Sequence, residues 1–202
     1  STGKPMILST GIADAEEIQE AIDAAREGGC KELAILHCVS GYPAPAEDYN
    51  LRIIPDMIER FGLVTGLSDH TLDNTTAITS IAMGASIIEK HFTLNRDNGG
   101  PDDSFSLEPQ ELKNLCKDSK TAWESLGRIS YERKKSEQGN SVFRRSLYVV
   151  RDIKAGEIIT KENVKSIRPG FGLAPKFFEQ VMGRVSSHDI DRGKPLSMED
   201  LE

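Results

Sequence analysis

Residues 1–126 contain two different patterns of apolar and polar positions. Short apolar runs predict buried strands, and between them lie longer stretches whose apolar residues recur every three or four positions and predict amphipathic helices. The predicted strands are 6–8, 33–36, 64–67 and 86–89, and the predicted helices are 15–26, 51–61, 75–83 and 109–126. A strand followed by a helix, four times in succession, predicts an α/β fold with a parallel sheet.

The length of this repeating part limits the architecture. A closed (β/α)8 barrel of the TIM type takes roughly 250 residues, and the four units in 1–127 are about half of that. The chain also begins almost on a strand. We therefore predict half of such a barrel, without its amino-terminal half; a small open sheet is the alternative.

The rest of the chain has a different pattern. Residues 128–141 are polar with little to bury, and we interpret them as a linker. In the part that follows, 142–202, the sequence of 152–164 recurs as 189–201, with a glycine at the fifth position of each copy. Such glycines suit tight turns with positive φ. The repeat predicts a separate small β domain with pseudo-twofold symmetry and its own core.

Charge and composition exclude several classes of protein. The chain of 202 residues has a formal net charge of −7, and it lacks the dense basic stripe expected of a nucleic-acid-binding protein. Its 3 cysteines form no CxxC pair, which favours a reducing compartment. No apolar run approaches the roughly 18 residues of a membrane helix, and the start resembles no signal peptide. We predict a cytoplasmic protein that binds neither membrane nor nucleic acid.

Two histidines follow neighbouring predicted strands. His70 comes directly after the third apolar run, and His91 follows the fourth. Ligands collect at the carboxyl edge of a parallel sheet, and neutral imidazole is the commonest transition-metal ligand. The pair therefore predicts an open, catalytic metal site. For either histidine alone, a hydrogen bond to a nearby backbone carbonyl is the simpler interpretation. The adjacent Asp69 and Glu89 are candidates to orient the rings, or else solvated charges.

One arginine stands out in the second part. Arg168 lies in the loop Arg168-Pro169-Gly170-Phe171-Gly172, where proline and glycine limit its freedom. Its planar guanidinium suits carboxylate, phosphate or amide oxygens. A surface turn with a solvated arginine explains the same sequence equally well.

Further motifs follow one another along the chain: Ser9-Thr10-Gly11, His37-Cys38, Tyr42-Pro43-Ala44-Pro45, Gly66-Leu67-Ser68-Asp69-His70-Thr71, Glu89-Lys90-His91-Phe92-Thr93 and Gly99-Gly100-Pro101-Asp102. Together they resemble the motifs of the sialic acid synthase family. Three more, Phe105-Ser106-Leu107-Glu108-Pro109, Phe143-Arg144-Arg145-Ser146-Leu147 and Ser166-Ile167-Arg168-Pro169-Gly170-Phe171-Gly172-Leu173, resemble its pseudaminic acid synthase branch most of all. The resemblance covers nearly the whole chain. It implies the last four βα units of a (β/α)8 barrel, followed by an antifreeze-protein-like (SAF) domain of the β-clip type.

The resemblance also implies an activity. It is the metal-dependent condensation of phosphoenolpyruvate with an open-chain N-acetylated aminosugar, to give a nine-carbon 2-keto sugar acid and phosphate. The pseudaminic acid branch implies 2,4-diacetamido-2,4,6-trideoxyaltrose as the sugar. N-acetylneuraminate and legionaminate synthases remain alternatives, because they share the same machinery.

Individual residues are implied by their place in the family motifs. His70 and His91 would hold a divalent metal, typically Mn²⁺, with Mg²⁺ or Co²⁺ as alternatives. The phosphoenolpyruvate site would be lined by Ser9, Ser40 and Tyr42. Relatives often carry asparagine where this chain has Ser40.

Two further residues would contact the sugar. Asp102 would face its hydroxyl groups, and Arg168 would reach its N-acetyl group from the partner subunit of a domain-swapped homodimer.

The sequence alone also allows other interpretations. The family's remaining phosphate-binding residues belong to the first four barrel units, so we predict that the isolated chain is inactive. The chain could instead be a carbohydrate-binding or assembly module that needs no metal. Two half barrels could also pair through their exposed sheet edges.

Overall fold

A computed structural model describes residues 3–202. The chain divides into two compact units, the first ending at Arg128 and the second covering Ile129–Glu202. None of the helices within the described residues has the length and apolar character needed to cross a bilayer.

The first unit contains the four strands and four helices that the sequence predicts. The strands are β1 (Met6–Ser9), β2 (Leu33–Cys38), β3 (Val64–Asp69) and β4 (Ile88–Lys90), and the helices are α1 (Ala15–Glu27), α2 (Ile53–Phe61), α3 (Thr75–Ala82) and α4 (Pro109–Leu126). Short 3-10 helices cover Ala46–Tyr49, Arg96–Asn98 and Asp103–Phe105. All strands are parallel in the order β1-β2-β3-β4. The predicted α/β fold with a parallel sheet is confirmed.

One face of this sheet packs against the helices. The buried Leu33 and Ile35 of β2 meet Ile18 and Ile22 of α1, together with Met57 of α2. Burying a side chain of this size contributes about 1.5–3 kcal/mol, so this cluster is a main source of the unit's stability. Helix α1 begins here because Asp14 and Glu17 form a capping box at its start.

The other face of the sheet is only partly covered: Leu36 on it is buried, whereas apolar side chains toward its start are exposed. Side chains alternate between the two faces of a strand, so Ile7, Ala34 and Val64, which are neighbours in the register, share the face opposite the helices. Ile7 is 55% exposed and Val64 is 53% exposed. A row of apolar side chains therefore lies on this face without helices above it.

Strand β4 begins two residues later than predicted. The ladder nevertheless begins earlier, because the Ser86 amide donates to the Thr65 carbonyl at 2.9 Å and the Leu67 amide to the Ile87 carbonyl at 2.9 Å. Here Gly66 lets the strands approach closely, since a Cβ on it would lie 2.5 Å from the Ile87 carbonyl oxygen. This close approach fixes where β3 and β4 meet.

The second unit is built on its internal repeat. It contains β5 (Ser146–Val149), β6 (Val164–Ile167), the short helix α5 (Phe178–Val181), and 3-10 helices at Lys135–Phe143, Pro175–Phe177 and Met198–Asp200. Strands β5 and β6 pair antiparallel. The core consists of buried aliphatic side chains: Leu147, Val149, Ile153, Ile159, Val164, Val181, Ile190, Leu196 and Leu201.

The two copies of the repeat pair with each other. Ile153 and Ile190 exchange backbone hydrogen bonds of 2.9 and 2.8 Å. Asp152 accepts the Arg192 amide at 2.7 Å, and Asp189 accepts the Ala155 amide at 2.9 Å, so each copy supplies the equivalent contact to the other. The matched glycines, at positions 156 and 193, have φ of 82° and 91°, as predicted.

The segment 128–141, predicted as a linker, is not without structure. Its second half, residues 135–141, belongs to the 3-10 helix Lys135–Phe143, and residues 131–140 are all exposed. Immediately after it, the Val142 carbonyl accepts the Gly170 amide at 2.9 Å. This contact connects the end of the 3-10 helix to the loop that follows β6.

Candidate active site

The two histidines singled out from the sequence lie side by side at the carboxyl edge of the sheet. Strands β3 and β4 end at Asp69 and Lys90, and the next residue of each is a histidine. The ring centroids of His70 and His91 are 5.2 Å apart, and their planes meet at 72°. The structure thus brings together the two residues on which the metal hypothesis depends.

The orientation of the His70 ring follows from its backbone contacts. Its Nδ1 lies 2.8 Å from the Val39 carbonyl oxygen. A carbonyl oxygen only accepts, so Nδ1 carries a hydrogen, and in the neutral ring Nε2 then keeps a lone pair. The nearest polar atom to Nε2 among the described hydrogen bonds is the Ser68 hydroxyl, at 3.5 Å. A carbonyl partner, the simpler interpretation of this histidine, therefore also leaves the other nitrogen available as a ligand.

The position of His70 is also fixed through its backbone. Its amide donates to the Tyr49 hydroxyl at 2.5 Å, and Tyr49 is fully buried at the end of a 3-10 helix. Burial raises the pKa of this hydroxyl above its ordinary value. The phenol is therefore neutral at physiological pH and can accept this hydrogen bond while keeping its proton.

His91 is bordered by a carboxylate and an aromatic ring. Its Nδ1 lies 3.4 Å from Oδ2 of Asp102. The Phe105 ring meets the imidazole edge-on, with centroids 5.1 Å apart. Asp102, predicted to face the sugar, is therefore adjacent to one of the candidate metal ligands, and its side chain is 56% exposed.

Tyr42 completes an aromatic cluster over the site. Its ring lies 4.3 Å from that of His70 and 5.7 Å from those of His91 and Phe105. Tyr42 is 53% exposed. It therefore presents one side to the histidines and another to solvent, where a small molecule can approach.

The two predicted serines lie at neighbouring strand ends. Ser9 is the last residue of β1. Ser40 follows β2, and its hydroxyl oxygen would lie 3.2 Å from a Cβ on Gly11, so it rests against the loop after β1. Both are therefore at the same edge of the sheet as the histidines.

Arg168 belongs to the second unit, where its loop is held firmly. Ser146 donates to the Pro169 carbonyl at 2.7 Å and accepts the Gly172 amide at 3.0 Å. A Cβ on Gly172 would lie 2.4 Å from the Leu147 carbonyl oxygen, so only glycine fits there. Arg168 itself is exposed on this rigid loop.

Two pairs of polar residues near the histidines were not predicted as pairs. Ser68 donates to Glu89 at 2.7 Å, on the same face of the sheet as the histidines. Asp69 and Lys90 form a buried ion pair of 3.0 Å on the helix-covered face. Asp69 and Glu89 thus hold neighbouring residues instead of the imidazole rings. Each residue lies at the same distance before its histidine as its partner does, but this spacing indicates pairing only once the register of β3 and β4 is known.

The donor set determines what kind of metal site is possible. Within residues 3–202, no group of three or more His, Cys, Asp or Glu side chains is arranged to hold an ion. The two imidazoles alone would leave the other coordination positions to water and substrate. That arrangement fits an open catalytic site and not a closed structural one.

The fold and site define an α/β protein with a candidate site at the carboxyl ends of parallel strands, and with a small β domain that follows it in the chain. Residues 1–131 match the NeuB family, and residues 144–202 match the SAF domain. The chain belongs to the NeuB family, and the resemblance to sialic acid synthases that its motifs indicate is confirmed.

Individual members of the family and related solved structures are similar to most of this chain. The chain is 41% identical over 198 residues to pseudaminic acid synthase of Campylobacter jejuni, covering 98% of this chain and 58% of that protein. It is 39% identical over 187 residues to N,N'-diacetyllegionaminic acid synthase of the same species, covering 91% and 56%. The crystal structure of spore coat polysaccharide biosynthesis protein SpsE from Bacillus subtilis matches with a TM-score of 0.59 and 32% identity, covering 99% and 62%. The chain thus spans about three fifths of the length of these proteins.

Proposed function

We propose that this chain carries the metal-binding part of a nonulosonic acid synthase. The activity is the condensation of phosphoenolpyruvate with an open-chain N-acetylated aminosugar. The observation that carries the proposal is the 5.2 Å separation of the His70 and His91 rings at the carboxyl ends of neighbouring strands. Relatives described as pseudaminic and legionaminic acid synthases, at 41% and 39% identity, support the reaction class.

The architecture we propose for the complete enzyme is a closed (β/α)8 barrel. The strands follow chain order across the sheet, as in a barrel, whereas doubly wound sheets change direction at a switch point. The uncovered apolar row containing Ile7 and Val64 would line the barrel interior. The four units here would be its second half, so we expect the isolated chain to be inactive.

His70 Nε2 and one nitrogen of His91 would hold the divalent ion, with Mn²⁺ as the first candidate and Mg²⁺ or Co²⁺ as alternatives. When bound, the ion would supply Lewis acidity toward the sugar's carbonyl oxygen. Neighbouring groups of the chain orient the two rings. The Val39 carbonyl keeps the hydrogen on Nδ1 of His70, and Asp102 borders Nδ1 of His91.

The reaction joins the methylene carbon of phosphoenolpyruvate to the aldehyde carbon of the sugar. Water adds to the enolpyruvyl C2, and phosphate leaves with cleavage of its C–O bond, so a 2-keto acid remains. Orienting two substrates in this way can account for up to about 7–11 kcal/mol of a barrier. Ser9, Ser40 and Tyr42 would line the phosphoenolpyruvate site.

Two residues would contact the sugar. The exposed Asp102 carboxylate would accept hydrogen bonds from sugar hydroxyls. Arg168, on its rigid loop, would bind the N-acetyl oxygen from the partner subunit of a domain-swapped homodimer. We propose 2,4-diacetamido-2,4,6-trideoxyaltrose as the sugar, with the legionaminate and N-acetylneuraminate precursors as alternatives.

The first test is metal binding by the chain itself. Mn²⁺ titration by calorimetry should give an affinity that His70→Ala and His91→Ala each reduce at least about 100-fold, at the upper end of the losses caused by changes around metal ligands. His188→Ala, in the second unit, is the matched control and should leave the affinity unchanged. A carbohydrate-binding or assembly module would show no histidine-dependent Mn²⁺ binding, and that result would refute the proposal.

The second test restores the reaction. This chain would be mixed with the part of the Campylobacter jejuni pseudaminic acid synthase that it does not match. Phosphoenolpyruvate, Mn²⁺ and each of the three candidate sugars would then be added in separate reactions. Mass spectrometry should detect pseudaminic acid in the mixture and none with the 202-residue chain alone. Formation of a different nonulosonic acid would identify the correct sugar and replace our first choice.

A further inference from the structure

An ion pair lies directly behind the two histidines. Nζ of Lys90 and Oδ2 of Asp69 are 3.0 Å apart, and the side chains are only 2% and 0% exposed. The two residues are opposite each other in the register of β3 and β4. Because side chains alternate along strands, the pair faces the helices while the histidines that follow face the other side.

The pair also forms hydrogen bonds to the loop that follows β3. Lys90 Nζ also donates to the carbonyl oxygens of Thr71 at 2.8 Å and Asp73 at 2.6 Å, which uses all three hydrogens of the ammonium group. The second carboxylate oxygen of Asp69 accepts the Thr71 amide at 2.9 Å. A residue of β4 thus fixes the loop that leaves β3, and this loop begins with His70.

The geometry of His70 depends on that loop. Its amide reaches the Tyr49 hydroxyl and its Nδ1 reaches the Val39 carbonyl, at 2.5 and 2.8 Å. Both bonds require the backbone at residue 70 to stay in place. The adjacent Ser68–Glu89 bond connects the same two strands on the opposite face. Side-chain pairs on both faces therefore fix the register in which the imidazoles meet.

A purely structural role does not explain this pair well. Burying two charges costs so much solvation that apolar replacements of similar volume are often equally stable or more stable. Directional hydrogen bonds from one ammonium to two loop carbonyls provide what an apolar pair cannot, namely a defined loop position. Holding ligand geometry is a recognised function of groups around metal ligands.

We propose that Asp69 and Lys90 are a positioning pair that sets the separation of His70 and His91 and fixes the tautomer of His70. The part of this inference that concerns metal affinity rests on the proposed function. The part that concerns ring geometry does not, and it can be tested in the metal-free chain.

The test replaces both charges together, because a single replacement would leave one buried charge unpaired. Asp69→Asn/Lys90→Met is nearly isosteric, and Asp69→Leu/Lys90→Met is a fully apolar second version; whichever folds serves the test. Arg60→Met is the control, since it breaks the exposed Asp56–Arg60 pair of 2.9 Å in the same unit. Circular dichroism and thermal melting establish that each variant is folded.

Two measurements then decide the proposal. Long-range ¹H–¹⁵N spectra of the metal-free parent should show His70 as the Nδ1–H tautomer, and the double variant should show a mixture of tautomers. Mn²⁺ affinity in the double variant should fall about 10–100-fold, the usual cost of disturbing groups that hold ligands. The Arg60→Met control should match the parent in both.

Failure of the positioning proposal and failure of the proposed metal site would give different results. An unchanged His70 tautomer in the folded double variant would overturn the proposal, as would Mn²⁺ affinity within twofold of the parent. If His70→Ala binds Mn²⁺ as well as the parent does, the proposed metal site is wrong. The metal-free spectra would still decide whether the pair positions the ring.

Discussion

The two units of this protein stabilise their strands in different ways. In the second unit, the copies of the repeat exchange equivalent contacts, Asp152 to the Arg192 amide and Asp189 to the Ala155 amide, around a closed aliphatic core. In the first unit, unlike side chains pair across β3 and β4, and one face of the sheet keeps Ile7 and Val64 exposed. The symmetric unit resembles a self-contained module. The asymmetric one concentrates polar pairs next to the candidate chemistry.

The largest expected loss of stability comes from removing one charge of the buried pair in the first unit. Lys90→Met alone leaves Asp69 buried without its partner, and such changes cost about 3–5 kcal/mol. Urea denaturation monitored by NMR signals from each unit should show the loss in the first unit. Lys120→Met, which removes an exposed pair with Glu124 at 3.9 Å, is the control and should change little. Equal stability of the two variants would show that the buried pair is not needed for folding.

The second prediction concerns the core of the other unit. Leu196 is fully buried, and Leu196→Ala should destabilise the second unit by about 2–5 kcal/mol through lost burial and the cavity left behind. Mn²⁺ affinity should remain that of the parent, because the histidines belong to the first unit. A parallel loss of Mn²⁺ affinity in the folded variant would show that the units are energetically coupled, contrary to this comparison.

The third prediction tests the close approach of β3 and β4. Gly66→Ala would place a Cβ 2.6 Å from Leu36 and 2.5 Å from the Ile87 carbonyl oxygen. We expect a loss of about 1–3 kcal/mol in the first unit, as for other overpacked sites, together with weaker Mn²⁺ binding. In Gly139→Ala, by contrast, the added methyl meets nothing within 4 Å. Thermal melting that cannot distinguish the two variants would count against a tight strand contact at Gly66.

These cases show what the sequence could predict. Hydrophobic periodicity identified the four strands and four α-helices of the first unit but not its 3-10 helices, and helix α4 matches at both ends because Pro109 begins it and Gly127 follows it. The proximity of His70 and His91 was predictable because consecutive parallel strands are neighbours. The Asp69–Lys90 pair was not, since it depends on register, and a shift of one residue would join different side chains.

The smallest expected effect is a pH dependence confined to the first unit. Burial lowers the pKa of His37 below its ordinary 6.5, although a hydrogen bond to the Tyr49 carbonyl opposes this shift. As the pH falls below about 6.5, the unfolded chain therefore takes up a proton before the folded chain does, and the stability of the first unit should decrease.

Replacing the imidazole shows how much of this pH dependence comes from His37 and how much from other titrating groups. His37→Gln keeps a hydrogen-bond donor for the Tyr49 carbonyl, 2.6 Å from Nε2 in the parent, but cannot titrate. The melting temperature of this variant should therefore change less between pH 7.5 and pH 5.5 than that of the parent. Glu111, whose pKa is lowered chiefly by the Glu108 amide, titrates below its ordinary 4.5 and so outside this window. An equally steep loss of stability in His37→Gln would assign the effect to another group, and the buried histidine would then have no part in it.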